Sequence, residues 1–161
     1  MFCLLIIVII YSLKLKDITM SLSEKTIEIC KATAPVLTEH GEAITARMYE
    51  VLFSSYPETK ALFGEAPKDQ HKKLASAIVA YASNMDNLEV LGKAVEVMAQ
   101  RHVRTQVKPE HYPMVGVSLL QAIKDVLGDA ATDDVIEAWK EAYFYLGDIL
   151  IAREKELYAK A

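Results

Sequence analysis

Apolar residues in this chain recur mostly at spacings of three and four, the mark of helices that bury one face. The stretch through Ile27, Ile29, Cys30, Val36 and Leu37 predicts a first helix, with Ser21 and Glu24 at capping-box spacing and Pro35 expected to kink or end it. A second pattern runs from about Glu42 through Ile44, Met48, Val51 and Leu52 to the break at Tyr56-Pro57. Pro57 reads as the first turn of a short helix carrying Leu62 and Phe63. Residues 64–69 (GEAPKD) read as a loop, with Asp69 the candidate cap of a helix whose stripe is Leu74, Ile78 and Tyr81. Leu88 to Val103 is amphipathic, with Val95, Met98, Ala99 and His102 on one face. Lys108-Pro109-Glu110 opens a helix reaching Leu127, which Gly128-Asp129 ends. Thr132-Asp133-Asp134 starts the last helix, which turns Val135, Trp139, Ala142, Leu146, Ile149 and Leu150 inward and runs to about Tyr158. Residues 20–161 show no period-two alternation, repeat or linker, so a single all-α domain is expected.

The run from Phe2 to Leu13 (FCLLIIVIIYSL) departs from this pattern. As a helix it would span about 18 Å, short of the roughly 30 Å hydrocarbon core of a bilayer. No basic segment precedes it and no small-residue cleavage pattern follows. Lys14 and Lys16 come after it, an order that would keep the rest of the chain in the cytoplasm if the run inserted. Met20 and Ser21-Leu22-Ser23-Glu24 themselves make a good domain start. Residues 1–19 are therefore read as an apolar extension, either a mis-assigned start or a weak membrane anchor, and residues 20–161 as the domain. The expected location is cytoplasmic, with membrane contact only through residues 1–19.

A chain of 161 residues, 52% hydrophobic, can bury a core without disulfides or structural zinc. Its net charge of −4 offers no footprint for a phosphate backbone, so no nucleic-acid partner is expected. Cys3 and Cys30 do not read as a disulfide. Glycine-rich phosphate loops, G-x-S-x-G and H-E-x-x-H are all missing, which removes support for hydrolase and nucleotide-binding readings. Among the four histidines, His40 beside Gly41 and His111 after Pro109 are expected to face solvent, and His71 to face either way. His102 instead continues an apolar face beside Arg101. A buried imidazole left unsatisfied costs about 1–3 kcal/mol, so His102 needs a partner, and a core hydrogen bond or a ligand role would each supply one.

Several local patterns then combine in one order: Arg47-Met48-Tyr49, Pro57-Glu58 before Leu62-Phe63, Gln70 with Leu74, and residues 80–84 (AYASN) before Asp86-Asn87-Leu88. Arg101-His102, residues 108–116 (KPEHYPMVG), Ala138-Trp139, Ala142-Tyr143 and Arg153-Glu154 continue the series. With these, residues 20–161 resemble the bacterial single-domain haemoglobins and the globin domain of flavohaemoglobins. The resemblance implies a globin fold holding haem b, non-covalently because C-x-x-C-H is absent, with iron bound by His102. It implies that Tyr112 and Glu154 form a hydrogen-bonded network behind that imidazole. Tyr143 and Glu154, eleven residues apart, fall on one face of the last helix. On the other side the resemblance implies Tyr49 and Gln70 as donors to bound dioxygen, Leu74 capping the pocket, Phe63 packed on the haem face, and Arg101 among the cofactor-binding residues. Tyr49, Gln70, Tyr112 and Glu154 are thus expected to carry the chemistry.

One departure from the family pattern is the spacing of seven from Phe63 to Gln70, shorter than in many flavohaemoglobin-like sequences, which leaves His71 as a competitor for the pocket. The function implied is reversible dioxygen binding that supports nitric oxide detoxification to nitrate. No counterpart of the flavin and nicotinamide domains occurs up to Ala161, so any dioxygenase activity would depend on an external reductase. Peroxidase-like or sulfide-handling redox chemistry is one alternative. Gas sensing through a partner is another, and self-association into a homodimer stays open.

Overall fold

A computed structural model of the chain describes residues 22–64 and 66–161. The extension over residues 1–19 and the expected cap Ser21 lie outside the described residues. Among the described residues five α-helices follow one another: α1 Glu24–Ser55, α2 Gln70–Ser83, α3 Gly92–Arg104, α4 His111–Leu127 and α5 Asp133–Tyr158. Short 3-10 turns at Pro57–Phe63, Leu88–Leu91 and Gly128–Ala130 join them, and no strand occurs among the described residues.

Three local expectations are corrected. The first two predicted helices are one, because Pro35 sits inside α1 without ending it. Proline removes the N–H that would bond the carbonyl of Lys31, but both residues are exposed, so the loss falls on the solvent side of the helix rather than in the core. His40-Gly41 is accordingly no junction; Gly41 faces α2, where an added Cβ would lie 3.3 Å from that of Ala75. The cap of α1 is Ser23, whose Oγ accepts the Thr26 N–H at 3.1 Å. Its own N–H donates 2.9 Å to Glu141 of α5, so a distant helix supplies the carboxylate expected of Glu24. Asp69 does stand before α2, but its side chain makes no cap and lies 3.6 Å from Lys73 Nζ instead. Thr132 caps α5 as expected.

Packing divides the interior into two clusters. The larger joins α1, α2, α4 and α5 through residues such as Ile44, Met48, Tyr81, Leu119, Ile123 and Trp139. The smaller gathers Ala99 of α3, Tyr112 of α4 and Leu150 of α5, with Val95, Met98 and Val107 against them. A cavity of about 210 Å³ is lined from both. No helix among the described residues is long and apolar enough to cross a membrane.

Candidate functional site

One wall of the cavity is set by the end of α3. The helix closes with Thr105, then Gln106 at φ 61, so that the Gln106 N–H reaches the Val103 carbonyl at 3.1 Å and the Val107 N–H that of His102 at 2.9 Å. This pair of bonds is a Schellman closure, and it fixes the backbone of His102 in the last turn. The His102 Nδ1 lies 2.7 Å from Glu154 Oε1 and 3.0 Å from the Tyr112 hydroxyl, which itself donates 2.6 Å to the same carboxylate oxygen. One proton on Nδ1 and one on the phenol satisfy all three groups. Nε2 is left without a hydrogen bond among the described residues, and it is the atom available to a ligand.

Glu154 is buried, at 2% exposure, and pushes the Tyr112 phenol well above its ordinary range, second in effect to burial itself. Two glycines make this arrangement fit. An added Cβ at Gly147 would lie 3.2 Å from the Tyr112 ring, and one at Gly116 only 2.6 Å from the Tyr143 ring. Tyr143 in turn donates 2.7 Å to the Tyr112 carbonyl, tying α5 to the first turn of α4.

The facing wall comes from α1, the 3-10 turn and α2. Tyr49 is held by edge contacts to Phe63, centroids 5.2 Å apart, and by Phe53 at 5.7 Å. Buried Thr45 donates 2.8 Å to the His71 carbonyl, which anchors the first turn of α2 on α1 and so places Gln70. Burial raises the Tyr49 pKa, and the neighbouring Gln70 side chain offsets part of that rise. Gln70, Leu74, Phe63 and Tyr49 all line the cavity opposite His102, and His71 does not. Arg101 is exposed and is not in the wall. His111, expected in solvent, is half-buried in the wall, with Nδ1 accepting the Lys108 N–H at 3.0 Å. Its spacing of four to Val115 and eight to Leu119, both lining residues, is the signal that would have found it. No cluster of three or more potential metal-ligating side chains occurs among the described residues.

The model of the globin family matches residues 46–150, from the second half of α1 to late in α5. The chain belongs to the globin family. A globin-like protein of Aquifex aeolicus is 55% identical over 139 residues, covering 86% of this chain and 99% of that one. A flavohemoprotein of Oceanobacillus iheyensis is 49% identical over 147 residues, 89% of this chain, but the globin spans only 36% of that protein's length. Among solved structures, a bacterial globin from Campylobacter jejuni aligns at a TM-score of 0.78 with 38% identity, covering 85% of this chain and 99% of that one. An engineered carbene transferase made from a candidate nitric oxide dioxygenase of Rhodothermus marinus aligns at 0.84 with 45% identity over 86% of this chain and 97% of that one. A flavohemoglobin from Malassezia yamatoensis, with FAD and haem bound, aligns at 0.76 with 32% identity, covering 86% of this globin and 38% of that chain.

The cofactor of this globin is haem with its iron. The lining residues suit it, since an imidazole with one nitrogen committed and one free stands among largely apolar side chains between two helical clusters.

Proposed function

We propose that this globin binds dioxygen reversibly at haem iron held by His102, and supports its reaction with nitric oxide to nitrate using electrons from a separate reductase. The observation that carries the reading is the polar division of the cavity, with Tyr49 and Gln70 on one wall and His102 backed by Glu154 and Tyr112 on the other. When bound, haem supplies an iron that takes up a diatomic gas and exchanges one electron. Donation of the Nδ1 proton to Glu154 fixes the tautomer, so that Nε2 carries the lone pair, and raises the basicity of the ring. Tyr112 occupies a further lone pair of the carboxylate and stays a donor at neutral pH. Opposite, the protonated Tyr49 and the Gln70 amide direct donors at a ligand that gains partial negative charge. Likeness to flavohemoproteins over this region supports the nitric oxide arm.

Rapid mixing of the ferrous protein, equilibrated with dioxygen, against nitric oxide tests the proposal. The expected result is conversion to the ferric spectrum with one nitrate formed per haem. Slow conversion, or conversion without nitrate, would contradict it. A second reading, peroxidase-like chemistry, draws on the same buried carboxylate behind His102, whose push of electron density favours O–O cleavage. Rapid oxidation of a phenolic donor by peroxide in the absence of nitrate formation would favour that reading.

A further inference from the structure

The face of α3 opposite His102 is unlike the rest of this acidic protein. Lys93, Val97, Arg101 and Arg104 fall within less than a quarter turn of one another around the helix, and all four are exposed. Val97 is 58% exposed and Val90, one 3-10 turn earlier, 57%, two of the four large apolar side chains most open to solvent among the described residues. From Val97 to Pro109 the sequence holds no aspartate or glutamate, while Lys108 adds another exposed cation. Lys93, Arg101, Arg104 and Lys108 make no ion pair among the described residues, and the nearby Glu96 is neutralised by Arg153 at 2.7 Å. The helix is about 10 Å thick, and its other side carries the imidazole.

Exposed Glu89 and Glu110 stand at the two ends of the patch, and between them cations without ion pairs flank exposed valines, an arrangement that suits a partner bringing carboxylates around an apolar contact. We infer that this face of α3 docks an acidic flavoprotein that delivers electrons through the His102 side of the haem. The inference rests on the proposed use of a separate reductase. One electron passes from the reduced flavin to ferric iron, giving ferrous iron and a flavin oxidised by one electron, and no bond is made or broken. Complementary charge acts here on the encounter rate, so the interaction is expected to weaken as salt rises.

The experiment uses the haem-loaded full chain in the ferric form, mixed with photoreduced flavodoxin as the acidic probe and with reduced free riboflavin as the small control. The second-order rate with flavodoxin should fall about tenfold between low and high salt, and about tenfold at low salt in Lys93→Glu/Arg104→Glu. The riboflavin rate and the Soret band of that variant should match those of the parent. Equal flavodoxin rates for parent and variant would overturn the proposal, as would an equal loss in Lys60→Glu/Lys124→Glu, which makes the same change of net charge at exposed lysines outside α3. Capture of the patch by anionic lipid vesicles without any flavodoxin effect would overturn it too. The nitric oxide reaction starts from ferrous protein and needs no docked donor, so its outcome separates failure of this surface from failure of the proposed function.

Discussion

Behind His102 the polar atoms of three side chains are closed on one another at 2.6–3.0 Å, whereas on the facing wall Tyr49 and Gln70 stand among aromatic and aliphatic neighbours. Glu154 is almost fully buried, while Tyr49, Gln70, Phe63 and Leu74 are only half-buried, beside the exposed stretch that precedes α2. The contrast separates two tasks. On the function proposed, the wall that would present a ligand to iron is fixed in advance by helix ends, glycine seats and committed protons. The wall that would meet an incoming gas is held by packing and keeps polar groups that a small ligand could recruit.

Breaking the first wall should cost most. His102→Ala removes the ligating nitrogen, and haem should be lost on gel filtration, with added imidazole restoring the Soret band. Glu154→Leu strands the buried hydroxyl of Tyr112 and the Nδ1 proton of half-buried His102, and should lower stability to denaturant by about 1–3 kcal/mol. The same variant should raise the ferric/ferrous reduction potential, because the imidazole loses its carboxylate. Tyr49→Phe should leave the unfolding midpoint nearly unchanged but speed dioxygen release about tenfold, the effect of roughly 1.4 kcal/mol of lost hydrogen bonding. Gln70→Leu should act in the same direction, more weakly. An equal loss of stability in Glu154→Leu and Tyr49→Phe would erase the distinction between the walls.

Much of this architecture was legible because it rests on local chemistry. The stripe through Val95, Met98, Ala99 and His102 predicted both α3 and the inward turn of its histidine, and the three-turn spacing of Tyr143 and Glu154 predicted their shared face. What escaped was decided between elements. Pro35 reads as a break, yet α1 continues because the orphaned carbonyl of Lys31 is at the surface. Ser23 draws its carboxylate partner from α5, a pairing across 118 residues that no local spacing encodes. Gly116 and Gly147 look like ordinary helix-weakening residues until the Tyr143 and Tyr112 rings are seen to fill their places.

Smaller effects sharpen the account of how the first wall is positioned. Gln106 holds a positive φ without being glycine, so Gln106→Gly should raise stability by up to about 1 kcal/mol in thermal unfolding while leaving the haem spectrum intact. Acid should act mainly on the outer carboxylates. Hydrogen bonds from Thr26 and Ser23 hold Glu141 below its ordinary range, and Arg153 does the same for Glu96. Their contribution is therefore present above the unfolded-state value of about 4.3 and is lost as pH falls through the lowered folded-state values. Glu141→Gln should flatten the fall in melting temperature over that window, slightly and without any spectral change.

The central claim is that His102 alone presents a nitrogen to haem iron and the opposite side is open to gas. Optical spectra of the ferric, ferrous and carbonyl forms of the haem-loaded protein test it most directly. The expected result is a five-coordinate high-spin ferrous form that becomes six-coordinate with carbon monoxide, and loss of both in His102→Ala. Absence of a Soret shift on haem addition would contradict it, as would a low-spin ferric spectrum at neutral pH that disappears in His71→Ala.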